Sequence, residues 1–402
     1  MNVKIRPSSL RGRIYAPPSK SFAHRELICA ALADGESTVQ GISDSEDMLA
    51  TLDCVAALGA RYEKCGDTVT MCGRSGKTPD GAVLRCRESG STLRFLIPLS
   101  LTGGTVRFEG TQRLLERGIG IYETLLGQKG IKIKKDPGGI TMCGRLINGQ
   151  YTLRGDVSSQ FVSGLLFALP MLDGDSVIHV LPPVESRAYI NITRCVLESF
   201  GIEVHEREKN SFYVPGGQRY RARNVTVEGD WSNAAALYAF GFVGGNVDVL
   251  GLNADSVQGD RVCLEYLKAL ESPEAELDIS NCPDLGPVLF AAAAASGKGA
   301  RFTGTRRLRI KESDRAAVMA ECLKAFGIGT RLEDNSFTVL PGALHAPAQA
   351  ISSHNDHRIV MALTLLMSIT GGEISDAQAV RKSYPNFFDE LSGLGLEIEY
   401  EA

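Results

Sequence analysis

Gly35, Gly104, Gly174, Gly245, Gly299 and Gly372 each follow an apolar stretch with helical spacing and precede a short strand-like run, so the chain predicts one α/β pattern repeated six times. Fourteen or fifteen residues before each glycine stands a polar cluster suited to a helix start, at Lys20, Gly90, Ser159, Asp230, Asp284 and His357. A helix of that length rises about 22 Å. Glycine suits the stop because it adopts positive φ at little cost.

A second glycine series, Gly59, Gly130, Gly201, Gly327 and Gly395, closes a second helix in five repeats and precedes alternation such as Ile131-Lys132-Ile133. The fourth repeat, near Leu270-Glu271, has no such glycine. Helical spacing puts Met48, Leu52, Val55 and Ala56 on one apolar face, Ile192, Val196 and Phe200 on another, and Val318, Cys322, Leu323 and Phe326 on a third. Ser43 to Glu46 reads as a capping box. Gly59, Gly130 and Gly201 are 71 residues apart, whereas Gly245 and Gly299 are only 54 apart. That break predicts two triplets with a boundary near Asn224–Glu228, hence two α/β lobes of about 200 residues. A six-repeat solenoid would need polar capping repeats, and neither end supplies one.

With 402 residues and 44% apolar content the chain has material for well-buried cores. A net charge of −4 neither demands nor excludes an anionic partner and implies no nucleic acid. The ten cysteines contain no CxxC pair and several fall within apolar helical patterns, which predicts reduced thiols in a cytoplasmic protein. Residues 1–20 lack the apolar core of a signal peptide, and the longest apolar stretch, near Ile359–Ile369, is too short to span a bilayer. No membrane partner is therefore expected, and the sequons at Asn191 and Asn224 read as chance matches. His354 and His357 lack a third ligand, so no metal site is expected, and no P-loop, dinucleotide fingerprint or zinc signature occurs.

The helix starts differ between the halves. Repeats one to three offer Ser19-Lys20-Ser21, Ser89-Gly90-Ser91-Thr92 and Ser158-Ser159-Gln160, whose hydroxyls and open backbone N–H groups suit an anion, phosphate above all, though each serine also reads as an ordinary cap. Repeats four to six place Asp230, Asp284 and Asp356 there. Asp230 and Asp356 fit simple capping, while Asp284, between Cys282-Pro283 and Gly286-Pro287, fits a cap and a positioned base equally. The loop after each strand is a second slot, with Arg113, Glu116 and Arg117, then Ser186 and Arg187, then Arg381 and Lys382. Repeat five is densest, from Arg306 to Arg315, a run that in isolation reads as a solvated face. Recurrence of bases in that slot points to a small substrate with more than one anionic group.

Pro18-Ser19-Lys20-Ser21 with Arg25, Ser89-Gly90-Ser91-Thr92-Leu93-Arg94, Ser158-Ser159-Gln160, Lys311-Glu312-Ser313-Asp314-Arg315, Asn355-Asp356-His357-Arg358 and Lys382 resemble, in order and across nearly the whole chain, the 5-enolpyruvylshikimate-3-phosphate synthase family. The resemblance implies two inside-out α/β lobes, each a threefold repeat of helix-strand units. Residues 15–226 would form the N-terminal lobe, and residues 1–14 with 227–402 the C-terminal lobe, the two closing over substrate. It implies transfer of the carboxyvinyl group of phosphoenolpyruvate to the 5-hydroxyl of shikimate 3-phosphate, in a cytoplasmic monomer with no metal or organic cofactor. Lys20, Ser21, Arg25, Ser158, Ser159, Gln160, Ser186, Asp284 and Lys311 would then contact shikimate 3-phosphate. Lys20, Gly90, Arg117, Gln160, Arg315, Arg358 and Lys382 would contact phosphoenolpyruvate. Asp284 would take the 5-hydroxyl proton, and Glu312 or Lys311 would protonate the methylene carbon, with Lys20 also among the catalytic set. Glu88, Arg307 and Gly118 depart from the family's commonest residues. The sister family that acts on UDP-N-acetylglucosamine carries a reactive Cys where this chain has Gln112, and usually Lys-Asn where it has Lys20-Ser21. A non-catalytic binding homologue is the third reading, against which stand Asp284 and Glu312.

Overall fold

The computed structural model describes residues 1–74 and 76–401, and the chain divides into two compact units, residues 20–228 in one and residues 1–19 with 229 onward in the other. The chain opens with β1 (Asn2–Ile5) and β2 (Arg11–Tyr15), both in the C-terminal unit. Repeat one then runs α1 (Lys20–Leu32), β3 (Glu36–Gln40), α2 (Glu46–Ala57), β4 (Arg61–Cys65) and β5 (Thr68–Cys72). Repeat two is β6 (Ala82–Arg85), α3 (Gly90–Ser100), β7 (Thr102–Glu109), α4 (Gln112–Glu116), α5 (Gly120–Gly127), β8 (Lys132–Asp136) and β9 (Gly139–Arg145). Repeat three is β10 (Gly149–Arg154), α6 (Ser159–Ala168), β11 (Ser176–Leu181), α7 (Arg187–Ser199), β12 (His205–Glu208) and β13 (Ser211–Val214), after which β14 (Val225–Thr226) returns to repeat one.

The C-terminal unit continues with α8 (Trp231–Phe242), β15 (Asn246–Leu250) and α9 (Cys263–Ala269), then β16 (Glu276–Asp278), α10 (Gly286–Ala295), β17 (Ala300–Thr303), α11 (Arg315–Ala325), β18 (Thr330–Leu332) and β19 (Ser336–Val339). It closes with β20 (Ile351–Ser352), α12 (His357–Thr370), β21 (Gly372–Ser375), α13 (Phe387–Gly393) and β22 (Ile398–Glu401).

Five sheets share one plan, β14-β3-β5-β4, β6-β7-β9-β8, β10-β11-β13-β12, β16-β17-β19-β18 and β20-β21-β1-β22. In each, an edge strand lies parallel to the strand that follows the repeat's first helix, and an antiparallel pair completes the sheet. Repeat six takes that pair from the two chain ends, with Asn2 opposite Glu401. Among the described residues, repeat four keeps only the parallel pair β2–β15, and no hairpin follows where the second glycine is missing. Gly201 (φ 80°) and Gly327 (φ 83°) close α7 and α11, whereas the residue two past the end of α9 is Glu271 and the positive φ of that connection falls later, at Glu274 (φ 60°).

The sheets lie outside and the helices inside. The first helices of the repeats, α1, α3 and α6 in one unit and α8, α10 and α12 in the other, are buried along nearly their whole length. α10 is apolar all round, as a helix enclosed on every side must be. Phe95 meets Phe167 edge-on at 5.4 Å in the first core, and Phe290 stacks on Phe337 at 4.2 Å in the second.

Three local expectations are corrected. Gly104 lies inside β7 rather than before it, because α3 stops at Ser100 and the strand starts at Thr102. The positive-φ position is the preceding residue, Gly103, as it is Gly244 before Gly245. Gly245 itself is a packing requirement, since a Cβ there would sit 2.6 Å from the Phe240 carbonyl oxygen. The second helix of repeat one is capped at Ser45, and the Ser43 hydroxyl accepts from Ser45 N instead of forming a capping box. Ala56 is exposed, outside the face formed by Met48, Leu52 and Val55. Among the described residues no helix is long and apolar enough to cross a membrane.

Candidate active site

In the N-terminal unit the three first helices begin where the polar clusters stand. α1 starts at Lys20, α3 at Gly90 behind its N-cap Ser89, and α6 at Ser159 behind its N-cap Ser158. The Ser158 hydroxyl accepts from Gln160 N at 3.3 Å, so capping is one real use of that side chain. Lys20 Nζ donates to Asp47 Oδ2 at 3.0 Å. Arg25 is buried, donating through Nε to Thr193 Oγ1 (2.8 Å) and through its terminal nitrogens to the carbonyls of Ser21 (2.6 Å) and Tyr189 (3.1 Å). Burial lowers its proton affinity, yet a guanidinium remains charged near neutrality.

Gly90, Arg117 and Gln160 converge on Arg94. Arg94 donates to Gln160 Oε1 (2.7 Å) and to the carbonyls of Arg117 (3.2 Å) and Gly118 (3.1 Å), while Gln160 Nε2 donates to Ser91 Oγ (3.0 Å). A Cβ on Gly90 would lie 3.0 Å from a terminal nitrogen of each arginine, so the missing side chain is what admits both. Gly118 has φ 70°, which proline cannot adopt. Ser186, with φ 55°, is the buried N-cap residue of α7.

In the C-terminal unit Arg315 is the hub. It is 1% exposed and meets Asp284 Oδ1 (2.7 Å), Glu312 Oε2 (2.7 Å) and both oxygens of Asp356 (2.8 and 3.2 Å). Burial would lower its pKa, but the three carboxylates outweigh that and raise it. Lys311 Nζ donates to the same Asp284 Oδ1 at 2.9 Å. Burial alone would raise the Asp284 pKa, yet the charges of Lys311, Arg315 and Arg358 together hold it well below the usual carboxylate range. Burial lowers Lys311, with Asp284 opposing. Asp356 caps α12 through Arg358 N (2.9 Å), and Arg358 donates to the Ser232 carbonyl (2.8 Å) and to Asn233 Oδ1 (3.1 Å). Lys382 donates to the Asn355 carbonyl at 2.6 Å.

The charge run of repeat five is thus divided. Arg306 and Arg309 pair with Asp334 on the surface, as a solvated face would, whereas Arg307 and Arg315 are buried. Sequence reasoning left Asp47, Arg94, Asn233 and Asp260 without roles. Arg94 had a signal, a lone cation inside the apolar helix Leu93-Arg94-Phe95-Leu96-Ile97 that has to be paired to be buried. Asp260 is buried, and burial together with nearby Asp284 pushes it up to about 7 against the pull of Arg358. Nothing local marks it.

Six small sheets around buried helices, with basic and carboxylate clusters at the helix starts, define an enolpyruvyl-transferase type of architecture. A solved EPSP synthase from Acinetobacter baumannii superposes with a TM-score of 0.81 at 24% identity over the whole of both chains. The enolpyruvyl transferase NikO from Streptomyces tendae superposes with a TM-score of 0.78 at 15% identity, over all of this chain and 98% of that one. The family model described as EPSP synthase (3-phosphoshikimate 1-carboxyvinyltransferase) matches residues 5–391. Proteins named 3-phosphoshikimate 1-carboxyvinyltransferase from Clostridium kluyveri and Clostridium acetobutylicum are each 38% identical, covering 99% and 98% of this chain and 98% of each relative. The chain belongs to the EPSP synthase family.

Proposed function

We propose that this protein transfers the carboxyvinyl group of phosphoenolpyruvate to the 5-hydroxyl of shikimate 3-phosphate, releasing phosphate, in aromatic amino acid biosynthesis. Beyond family membership, the observation that carries the reading is the Asp284–Lys311–Arg315–Glu312 cluster, three half-buried groups around a buried arginine, with an ionised carboxylate beside an ammonium of lowered proton affinity. Asp284 takes the proton of the 5-hydroxyl as its oxygen bonds to C2 of phosphoenolpyruvate, and an acid protonates C3. The tetrahedral adduct then loses phosphate from C2 and a proton from the new methyl group, which restores the vinyl double bond. The charges that keep Asp284 ionised also make it a weak base, suited to a hydroxyl proton that becomes acidic as the C–O bond forms.

Lys311 serves as the acid better than Glu312. Burial lowers its proton affinity, whereas the Glu312 carboxylate is committed to an ion pair with Arg315. The N-terminal unit supplies Ser21, Arg25, Ser158, Ser159 and Ser186 for the shikimate phosphate. In the N-terminal unit Lys20, Gly90, Arg117 and Gln160 suit the anionic groups of phosphoenolpyruvate, and in the C-terminal unit Arg315, Arg358 and Lys382 suit them equally. Arginine forks suit both anions. The scheme calls on no metal or organic cofactor, and the protein acts as a monomer in the cytoplasm.

The test is phosphate release from phosphoenolpyruvate that depends on shikimate 3-phosphate, abolished to below about 1% in Asp284→Ala. Near-normal turnover in that variant sinks the base assignment. Release with UDP-N-acetylglucosamine alone would move the chain to the sister reaction, and release with neither acceptor would make it a binding protein. Against the sister reaction, Gln112 is the first residue of α4 and its amide is engaged by Glu116.

A further inference from the structure

Beneath the helix starts of the N-terminal unit runs a buried chain of polar groups that the scheme above does not use. His24 Nδ1 lies 2.7 Å from Thr51 Oγ1, Thr51 Oγ1 lies 2.8 Å from Thr92 Oγ1, and Thr92 Oγ1 donates to Ser89 Oγ at 2.7 Å. None of the four residues is more than 1% exposed. The chain joins α1, α2 and the cap of α3, ending one residue before Gly90.

Counting protons settles its direction. Thr92 gives its proton to Ser89, and the single Thr51 proton goes to Thr92 or to the Asp47 carbonyl (3.2 Å), so Thr51 receives from His24. His24 is therefore the Nδ1–H tautomer, and Nε2 carries a buried lone pair with no hydrogen-bond partner among the described residues. A charged imidazole is strongly disfavoured, first by burial and then by the charges of Lys20 and Arg25, which lower the pKa well below the usual histidine value.

The geometry makes this chain part of a two-rung ladder. Lys20 and His24 are four residues apart on α1, and Asp47 and Thr51 are four apart on α2, so each pair projects from one helix face. Lys20–Asp47 (3.0 Å) is the upper rung and His24–Thr51 the lower. A rung that holds one turn of α1 against α2 also constrains the turn above it, because residues four apart lie on one face about 5.4 Å along the axis and share the helix hydrogen bonds. The lower rung is neutral, which anchors the helix without adding a second cation below the ammonium.

We propose that His24 is a positioning residue for Lys20, holding the ammonium through Thr51 at the place where it meets the anionic groups of phosphoenolpyruvate. The inference rests on the reading of Lys20 as a substrate contact.

Kinetics of four single variants and one double variant of the whole chain test it. His24→Phe keeps a ring against Phe95 but removes the donor, and KM for phosphoenolpyruvate rises about tenfold while kcat falls less than about threefold. His24→Asn replaces the Nδ1–H donor with an amide and stays within about twofold of wild type. Thr51→Val reproduces the His24→Phe shift, carries the prediction if His24→Phe does not fold, and adds nothing when combined with it. Lys20→Ala loses most activity. Equal behaviour of the Phe and Asn variants, or a lowered melting temperature with KM unchanged, overturns the inference and leaves His24 a packing residue. A wild-type kcat/KM limb near the ordinary histidine pKa that disappears in His24→Asn overturns it in favour of proton transfer. Near-normal activity of Lys20→Ala overturns the Lys20 assignment itself, a failure distinct from a crippled Lys20→Ala beside an unaffected His24→Phe.

Discussion

Glu26 follows Arg25 on α1, is buried, and has an Oε2 with no hydrogen-bond partner among the described residues. Burial first and Glu228 second push its pKa up from 4.5 to about 7, with Arg223 opposing. Between those values the folded chain keeps a proton that the unfolded chain has released, so stability falls as pH rises and the full cost is reached above pH 7. That cost is at most about 3 kcal/mol. Glu26→Gln is expected to melt like wild type near pH 4 and at a higher temperature at pH 8, as read by calorimetry. Equal melting temperatures at pH 8 would show that the carboxylate is solvated when charged. The same balance of burial and charge explains why sequence could nominate Asp284 but not its state. Its ionisation depends on Lys311 and Arg315, whose approach in space the sequence spacing of 27 and 31 residues does not announce.

At the scale of elements, glycine spacing predicted helix starts well because starting and stopping a helix is a local matter. Lys20, Gly90, Ser159 and His357 are first helical residues, and Asp230 is a cap. The exceptions are informative. Glu274 holds an exposed left-handed turn in the one repeat without its second glycine. A non-glycine residue pays roughly 1–2 kcal/mol for that conformation, while glycine adds backbone freedom to the unfolded chain. Glu274→Gly is therefore expected to stabilise the C-terminal unit by about 0.5–1 kcal/mol in urea unfolding. Destabilisation would mean that the Glu274 side chain contributes more than its backbone costs.

Across the whole molecule, each compact unit closes its own sheets with strands drawn from distant sequence. β14 pairs with β3 from 186 residues earlier, and β1 sits between β21 and β22. Because Asn2 faces Glu401 in an antiparallel pair, a short turn can join the two ends. A circular permutant so joined, and opened in the exposed loop between Ala348 and Gln349, is expected to keep activity within about threefold in the phosphate-release assay. Loss of the folded C-terminal unit in that permutant would show that β1 must precede the rest of the chain. Six repeats, their helix starts and the order of the charged slots were legible in the sequence, since each depends on neighbours within a turn or two of helix. The parallel edge strands, the lost hairpin of repeat four, the Lys20–Asp47 and Arg94–Gln160 pairs and the neutral His24 rung were not. Those contacts join residues 27 to 66 or more positions apart, where no periodic pattern survives and only packing in three dimensions selects a partner.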